Sequence, residues 1–452
     1  MKIIVVGCGK IGATIIESLV AEGHDVTAVD NNSSVVNDMV EMYDCIGVCG
    51  SGTDCNILSE TGVETCELFV AVTGSDEFNM LACFMAKSLG AKHTIARIRN
   101  PEYNDRNLGF IRQNLGLSMA INPELLAAKE MFSVLQLPSA TKVEKFSRRN
   151  FEMVEIVVKK DSPIDGMSLI DMRKKYTAKF LVCAVEREDE VFVPDGNFIL
   201  KTGDKISITA SPFETAKLLK SIGLDVKQSK NVMILGATKT SYYLAKMLVT
   251  AGTAVKVIDP NKERCEQFSE VLPDAVIING DVAAQQVLIE EGIKSMDAFV
   301  SLTGVDEENI LMSLFASSQN VPKVISKINR DEFNALAEQI GIETIVSPRH
   351  IIADVLVRYA RGLQNSMGSK METLYKLMDG KAEVLEFLIE SDCKIADKPL
   401  KELNLKKNTL IAGIIRARKT IIPTGDDKIL ASDTVIVLAA GQRINDILDI
   451  IK

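Results

Sequence analysis

At 452 residues the chain is too long for one ordinary domain, and 46% apolar with 25% charged residues is the composition of a soluble globular protein. A net charge of −9 argues against bulk nucleic-acid binding, which needs a basic face. No apolar run reaches the roughly 20 residues of a membrane span, and Met1-Lys2 leads straight into an apolar strand, so a cytoplasmic chain without direct membrane insertion is expected.

Residues 3–12 read IIVVGCGKIG. Four apolar residues run into Gly7, Gly9 and Gly12, the G-x-G-x-x-G spacing at a strand-to-helix turn. In that pattern Gly7 permits the turn, Gly9 lets the backbone approach a pyrophosphate, and Gly12 lets the helix pack on the sheet. Cys8, Lys10 and Ile11 complete the loop, whose phosphate ligand would lie at the helix N-terminus. The helix that follows carries Ile15, Ile16, Leu19 and Val20 at helical spacing. Asp30 then ends the run VTAVD, with Asn31 after it. An acid there accepts ribose hydroxyls and repels a 2′-phosphate, which favours NAD(H) or an adenine ribonucleotide over NADP. The other reading of the loop is a turn without a ligand.

The next strand, IGVCG, runs into CGSGTD, where Ser51, Gly52 and Thr53 make a second flexible turn at the same sheet edge. The strand LFVAVT ends in Val72, Thr73 and Gly74, and ligands of open α/β sheets sit beyond the carboxyl ends of strands. Asp76 is expected to cap the following helix, with ligand contact as the alternative, and Asn79 lies in that helix's first turn. In HTIARI and the residues after it, Arg97 and Arg99 alternate with apolar residues and point to one side of a strand. They suit phosphates or an acidic partner chain, or else form a solvated, salt-bridged pair. Alternating strands and helices predict an α/β, doubly wound parallel sheet of the Rossmann type.

The chain then repeats itself. KIIVVG (2–7) faces NVMILG (231–236), VTAVD faces VKVID, and AVTGSDEFNMLACFMA (71–86) faces SLTGVDEENILMSLFA (301–316), all at offsets near 230. The repeat continues through 151–172 against 382–403 and 193–210 against 422–439. Each copy has a first part of about 135 residues and a smaller second part, read as an α+β unit with an antiparallel sheet of short strands (VEIVV, FLVCAV, KISITA) around a helix at 167–175. The expected units are 1–135 and 227–366 (Rossmann-like), and 136–226 and 367–452 (small α+β). Residues 125–135 and 351–363 are expected to be helices that join the parts or pack between copies.

The second copy departs from the pattern. Its loop is Gly236-Ala-Thr-Lys-Thr-Ser241, with Thr238 and Ser241 in place of two glycines, while Asp259 remains. A Cβ at Thr238 crowds a pyrophosphate and Ser241 pushes the helix off the sheet, so this site is expected to be weaker, of different specificity, or not a site. Tyr242-x-x-x-Lys246 has the Tyr-Lys spacing of short-chain dehydrogenases but falls on the wrong helix for catalysis. The three histidines all lie outside the small units, and no catalytic set is apparent. The nine cysteines are read as buried thiols, since Cys45, Cys49 and Cys55 lack a further Cys pair or His to complete a metal site. A soluble NAD-dependent oxidoreductase is the alternative function, weakened by the absence of a proton donor.

Taken together, MKIIVVGCGKIG, Asp30, GSGTD, VTGSDExN, ARIRNPEY and the small unit after each nucleotide-type part resemble the TrkA family of the Trk potassium-uptake system, built from tandem RCK (KTN) units. The resemblance covers essentially the whole length. Ser51, where the family often has Asp, and the degraded second loop depart from it. It implies a regulator rather than an enzyme: a homo-oligomer, four chains to a ring, peripheral on the inner face of the membrane beneath an integral potassium-translocating subunit of the TrkH type. It further implies NAD(H) and ATP or ADP as ligands, held at Gly7, Gly9, Gly12 and Asp30, with a basic residue near Arg97 and Arg99 beside the phosphates.

Overall fold

The apolar run after Met1 forms β1 (Lys2–Val6), followed by β2 (Asp25–Asp30), β3 (Ile46–Cys49), β4 (Leu68–Ala71), β5 (His93–Arg97) and β6 (Met119–Ile121). The structure, a computed structural model, describes every residue except 104, 147–150, 225–226, 282–283, 365–368, 392 and 418. The unit boundaries expected at 226/227 and 366/367 therefore fall at residues outside the described set. The six strands pair in parallel in the order β3-β2-β1-β4-β5-β6. Crossovers run through α1 (Lys10–Ala21), α2 (Ser33–Met42), α3 (Cys55–Glu60), α4 (Asp76–Leu89) and α5 (Asp105–Leu115), and α6 (Pro123–Gln136) leaves the sheet. Residues 3–6 and 68–71 are buried throughout, as unbroken apolar strands covered on both faces must be. Strand order reverses between β1 and β4, which opens a crevice over their carboxyl ends.

The second copy builds the same six-stranded parallel order, starting from Asn231–Leu235. Each small unit is a five-stranded antiparallel sheet, as its short alternating strands predict. The small helix starts at Leu169, capped by Ser168, two residues later than expected. The two small sheets pack on each other through Phe146, Phe151, Cys183, Val384, Ala412 and Ile436. A Cβ at Gly413 would lie 2.5 Å from the Phe151 ring, so that contact depends on glycine.

The long helices cross between copies. Helix α6 sets Ala127, Ala128, Met131 and Leu135 against Leu244, Ala245 and Leu248 of the helix Lys239–Thr250. Reciprocally, the helix Pro348–Gln364 packs Ile352, Leu356, Val357 and Ala360 against Ile15, Ile16 and Leu19 of α1. Among the described residues no helix is long and apolar enough to cross a membrane.

Just past α1, His24 is buried, and neither ring nitrogen has a partner among the described residues. Burial holds its pKa below the usual 6.5, with the N-terminal amine, Arg443 and Arg361 adding to the effect and Glu22 opposing it. The unfolded chain therefore takes up the proton first, and stability is expected to fall as pH drops below about 6.5. His24→Leu should flatten the stability profile over that range, measured by denaturant unfolding at stepped pH.

Candidate functional site

A cleft of about 670 Å³ lies over the carboxyl ends of β1 to β5, within the range of small-molecule sites. It is lined by Gly7, Gly9, Lys10, Ile11, Asp30, Asn31, Ser51, Gly52, Val72, Thr73, Gly74 and Arg97. Val6, Val29, Gly50, Ser75 and Phe78 also line it. Of these, Gly50 carried a signal, as the glycine matched by Gly280, whereas Phe78 lies in a helix pattern with nothing to mark it as facing a cleft.

Gly7 sits at φ +94° and its counterpart Gly236 at φ +91°, a left-handed turn that explains why both copies keep this first glycine. A Cβ at Gly12 would lie 1.9 Å from the Gly7 carbonyl oxygen, so the helix starts tight against the loop. A Cβ on Gly9 or Gly74 would meet no atom within 4 Å. The loop thus fronts open space, with backbone N–H groups of the α1 N-terminus beside it, the setting in which helix N-termini take anions. Asp30 braces the loop, accepting from Cys8 N at 2.8 Å through Oδ2 and from Asn32 N at 3.0 Å through Oδ1. Cys8 contributes its backbone only: the side chain is buried, and burial, then the charge of Asp30, pushes its thiol up to about 12.

Several expected ligand residues serve the frame instead. Ser75, not Asp76, caps α4, accepting from Phe78 N at 3.2 Å. Asp76 is the first residue of α4, and its Oδ2 accepts from Arg99 N and Asn100 N, each at 2.8 Å, which fixes the turn after β5. Asn79 is fully buried: its Oδ1 accepts from Thr73 N at 2.8 Å and its Nδ2 donates to Arg97 O at 3.0 Å, tying β4 to β5. Thr53 hydrogen-bonds Ser51 within the turn. Periodicity cannot separate a polar residue that faces a ligand from one that faces the neighbouring backbone.

The arginines do not share a strand, because β5 ends at Arg97. They converge nonetheless. Arg97 Nη2 lies 3.3 Å from Glu124 Oε1, and Arg99 Nη1 lies 3.9 Å from it. Arg99 also donates from Nη2 to Gly74 O at 2.5 Å. Burial pulls the Arg97 pKa down, with Glu124 opposing. Arg97 Nε and Glu124 Oε2 are both buried without a partner among the described residues. Such a cluster has donor capacity to offer an anion entering the cleft.

In the second copy Asp259 is buried and accepts from Ala237 N at 2.7 Å and Asn261 N at 2.8 Å, as Asp30 does in the first. The loop itself is filled. Thr238 caps the helix and Ser241 Oγ donates to Gly236 O at 2.5 Å. Lys327 replaces Arg97, buried, and donates to Leu302 O at 3.4 Å. Lys246 bonds Tyr242 OH at 3.4 Å on an exposed helix face, away from the first cleft's lining. Buried thiols account for Cys8, Cys66, Cys83, Cys183 and Cys265, but Cys49 and Cys55 are exposed, contrary to expectation, because both flank the open turn after β3. Among the described residues no group of three or more His, Cys, Asp or Glu is placed to hold a metal.

Residues 3–123 and 232–348 match the TrkA-N domain family, and residues 153–223 and 384–452 match the TrkA-C domain family. The chain is 32% identical over 453 residues to the Trk system potassium uptake protein TrkA homolog of Archaeoglobus fulgidus, covering 100% of both chains. It is similar in structure to the GsuK RCK domain, with a TM-score of 0.65 at 18% identity over 97% of this chain and 92% of that one. The GsuK channel bound to NAD gives a TM-score of 0.64 at 18% identity, over 97% of this chain and 77% of that one.

Proposed function

The chain belongs to the TrkA family of potassium-uptake proteins, and on that premise we propose that it is the nucleotide-sensing regulatory subunit of a potassium-uptake system. The observation that carries the sensing role is the first copy's open cleft: an unfilled Gly loop and Asp30 on one side, Arg97 on the other. NAD(H) and ATP or ADP are the ligands this cleft suits, and the likeness to a channel bound to NAD supports the first of them. Gly7, Gly9, Gly12 and Asp30 would hold the adenosine and first phosphates, and Arg97 would meet the distal phosphates. When bound, the nucleotide supplies negative charge rather than redox chemistry. The small units contain no histidine to serve as a proton donor, which favours a sensor over the oxidoreductase reading.

In this reading four chains form a cytoplasmic ring under an integral potassium-translocating subunit, and ring shape follows the nucleotide. A ligand shifts such a ring only by its differential affinity for two states. Asp30→Ala is expected to weaken adenine-nucleotide binding about tenfold to a hundredfold, the worth of one or two hydrogen bonds to a charged group. Calorimetry of wild type and variant with ATP, ADP, NAD and NADH checks this; unchanged affinity contradicts the assignment. Steady NADH turnover with carbonyl substrates would contradict the regulatory role.

A further inference from the structure

The end of β5 and the turn after it, which carry Arg97 and Arg99, are held by three clamps, besides a longer bond from Asn122 Nδ2 to Arg99 O at 3.5 Å. Two come from the first copy itself. Asp76 accepts from Arg99 N and Asn100 N, and Asn79 Nδ2 donates to Arg97 O. Both recur in the second copy, where Asp306 accepts from Asn329 N and Arg330 N, and Asn309 Nδ2 donates to Lys327 O.

The third clamp comes from the other copy. Tyr243, on the helix Lys239–Thr250, donates its hydroxyl to Arg99 O at 3.0 Å. The same hydroxyl accepts from Asn122 Nδ2 at 3.0 Å. Asn122 caps α6, accepting from Leu125 N at 2.9 Å, two residues before the Glu124 that pairs with Arg97. One phenol therefore fixes both backbone segments on which the cleft's arginines and their counter-ion are mounted. Arg99 passes this on directly, since its side chain donates to Gly74 O in the cleft wall. The clamp is not reciprocal. The position matching Tyr243 in the first copy is Thr14, whose hydroxyl turns back to Lys10 O at 3.1 Å.

We propose that Tyr243 is a positioning residue for the phosphate-facing end of the first cleft, and that through it the second copy's leading helix registers whether that end is filled. This rests on the nucleotide reading given above. A polyphosphate drawing Arg97 off Glu124 moves the turn that Tyr243 holds, whereas a monophosphate that leaves Arg97 paired does not. The coupling runs from the copy with the open loop to the copy with the filled one.

The test compares ATP and AMP binding to the full-length protein, with hydrogen exchange across 97–103 and 239–250. Tyr243→Phe removes only the hydroxyl. AMP affinity should stay at the wild-type value while ATP affinity drops about tenfold, the loss of two ordinary hydrogen bonds. ATP should alter exchange in 239–250 of wild type and leave it unaltered in the variant. Asn122→Ser keeps the helix cap but deletes the amide donor, and should show the same pattern even if Tyr243→Phe misfolds. A wild-type ATP-to-AMP ratio and exchange response in the folded variants overturns the proposal. Wild type binding neither nucleotide overturns the reading of the cleft itself, and the wild-type control separates the two failures.

Discussion

Gly12→Ala is expected to abolish nucleotide binding at the first cleft, by more than a hundredfold, while the chain still folds. The added Cβ would stand 1.9 Å from the Gly7 carbonyl oxygen, so the loop and the start of α1 must separate. The N–H groups that would hold the phosphates lie in that loop and helix start. Losing the geometry of two charge-assisted bonds accounts for the effect, at about 1.5–3 kcal/mol each. The second copy shows how the fold absorbs the same insult. Ser241 occupies the matching position, fully buried, and its hydroxyl bonds Gly236 O. There the side chain that replaces glycine meets the Gly236 carbonyl through its hydroxyl, as a hydrogen bond rather than a clash. Alanine has no hydroxyl to restore the lost contact, and a cost of about 1–3 kcal/mol in stability is expected. Calorimetry with NAD and ATP, beside thermal unfolding, checks both halves.

The largest stability effect is expected from Arg361→Ala. Arg361 is 2% exposed on the helix Pro348–Gln364. It pairs bidentately with Glu22 of the first copy, at 2.7 and 2.8 Å, and with Glu383 of the last small unit, at 2.8 Å twice. Arg443 adds a contact to Glu22 at 2.8 Å. Burial alone would raise the Glu22 pKa, but the Arg361 hydrogen bonds and charge bring it below the usual value. Deleting the guanidinium takes the cation from Glu383 and leaves Glu22 with Arg443 alone, in a junction of three units, at about 3–5 kcal/mol. Thermal unfolding should show the loss. Replacing the three groups together by Arg361→Met, Glu22→Leu and Glu383→Leu should recover most of it, because hydrophobic replacement of a buried ionic cluster is often neutral. A single variant as stable as wild type would contradict this account of the junction.

Fold class was legible because strand and helix periods alternate cleanly and because the chain carries its own copy for comparison. The Gly loop and Asp30 were legible because their spacing is dictated by the left-handed turn at Gly7 and by the hydrogen bond from Cys8 N to Asp30. The bracing roles of Asp76 and Asn79 were not legible, since their partners are backbone groups at and just beyond the ends of β4 and β5 that no local pattern points to. Glu124 gave no signal, although it pairs with both arginines, because it approaches them from a helix that starts 26 residues after Arg97 in sequence. Tyr243 lay one position from a catalytic decoy, and its contact with Arg99 spans 144 residues. Arg361 gave no signal beyond its place in an expected helix. Contacts between the two copies are what single-sequence periods cannot carry, and the Tyr243 hydroxyl's bonds to Arg99 O and Asn122 Nδ2 are of that kind.

The central claim is that one copy senses adenine nucleotides while the other is built as its partner. Calorimetric titration of the full-length protein with NAD, beside ATP, ADP and NADH, tests it most directly. The expected result is one tight adenine-nucleotide site per chain, lost in Gly12→Ala. Two equal, tight NAD sites per chain, or one that survives Gly12→Ala, would contradict it.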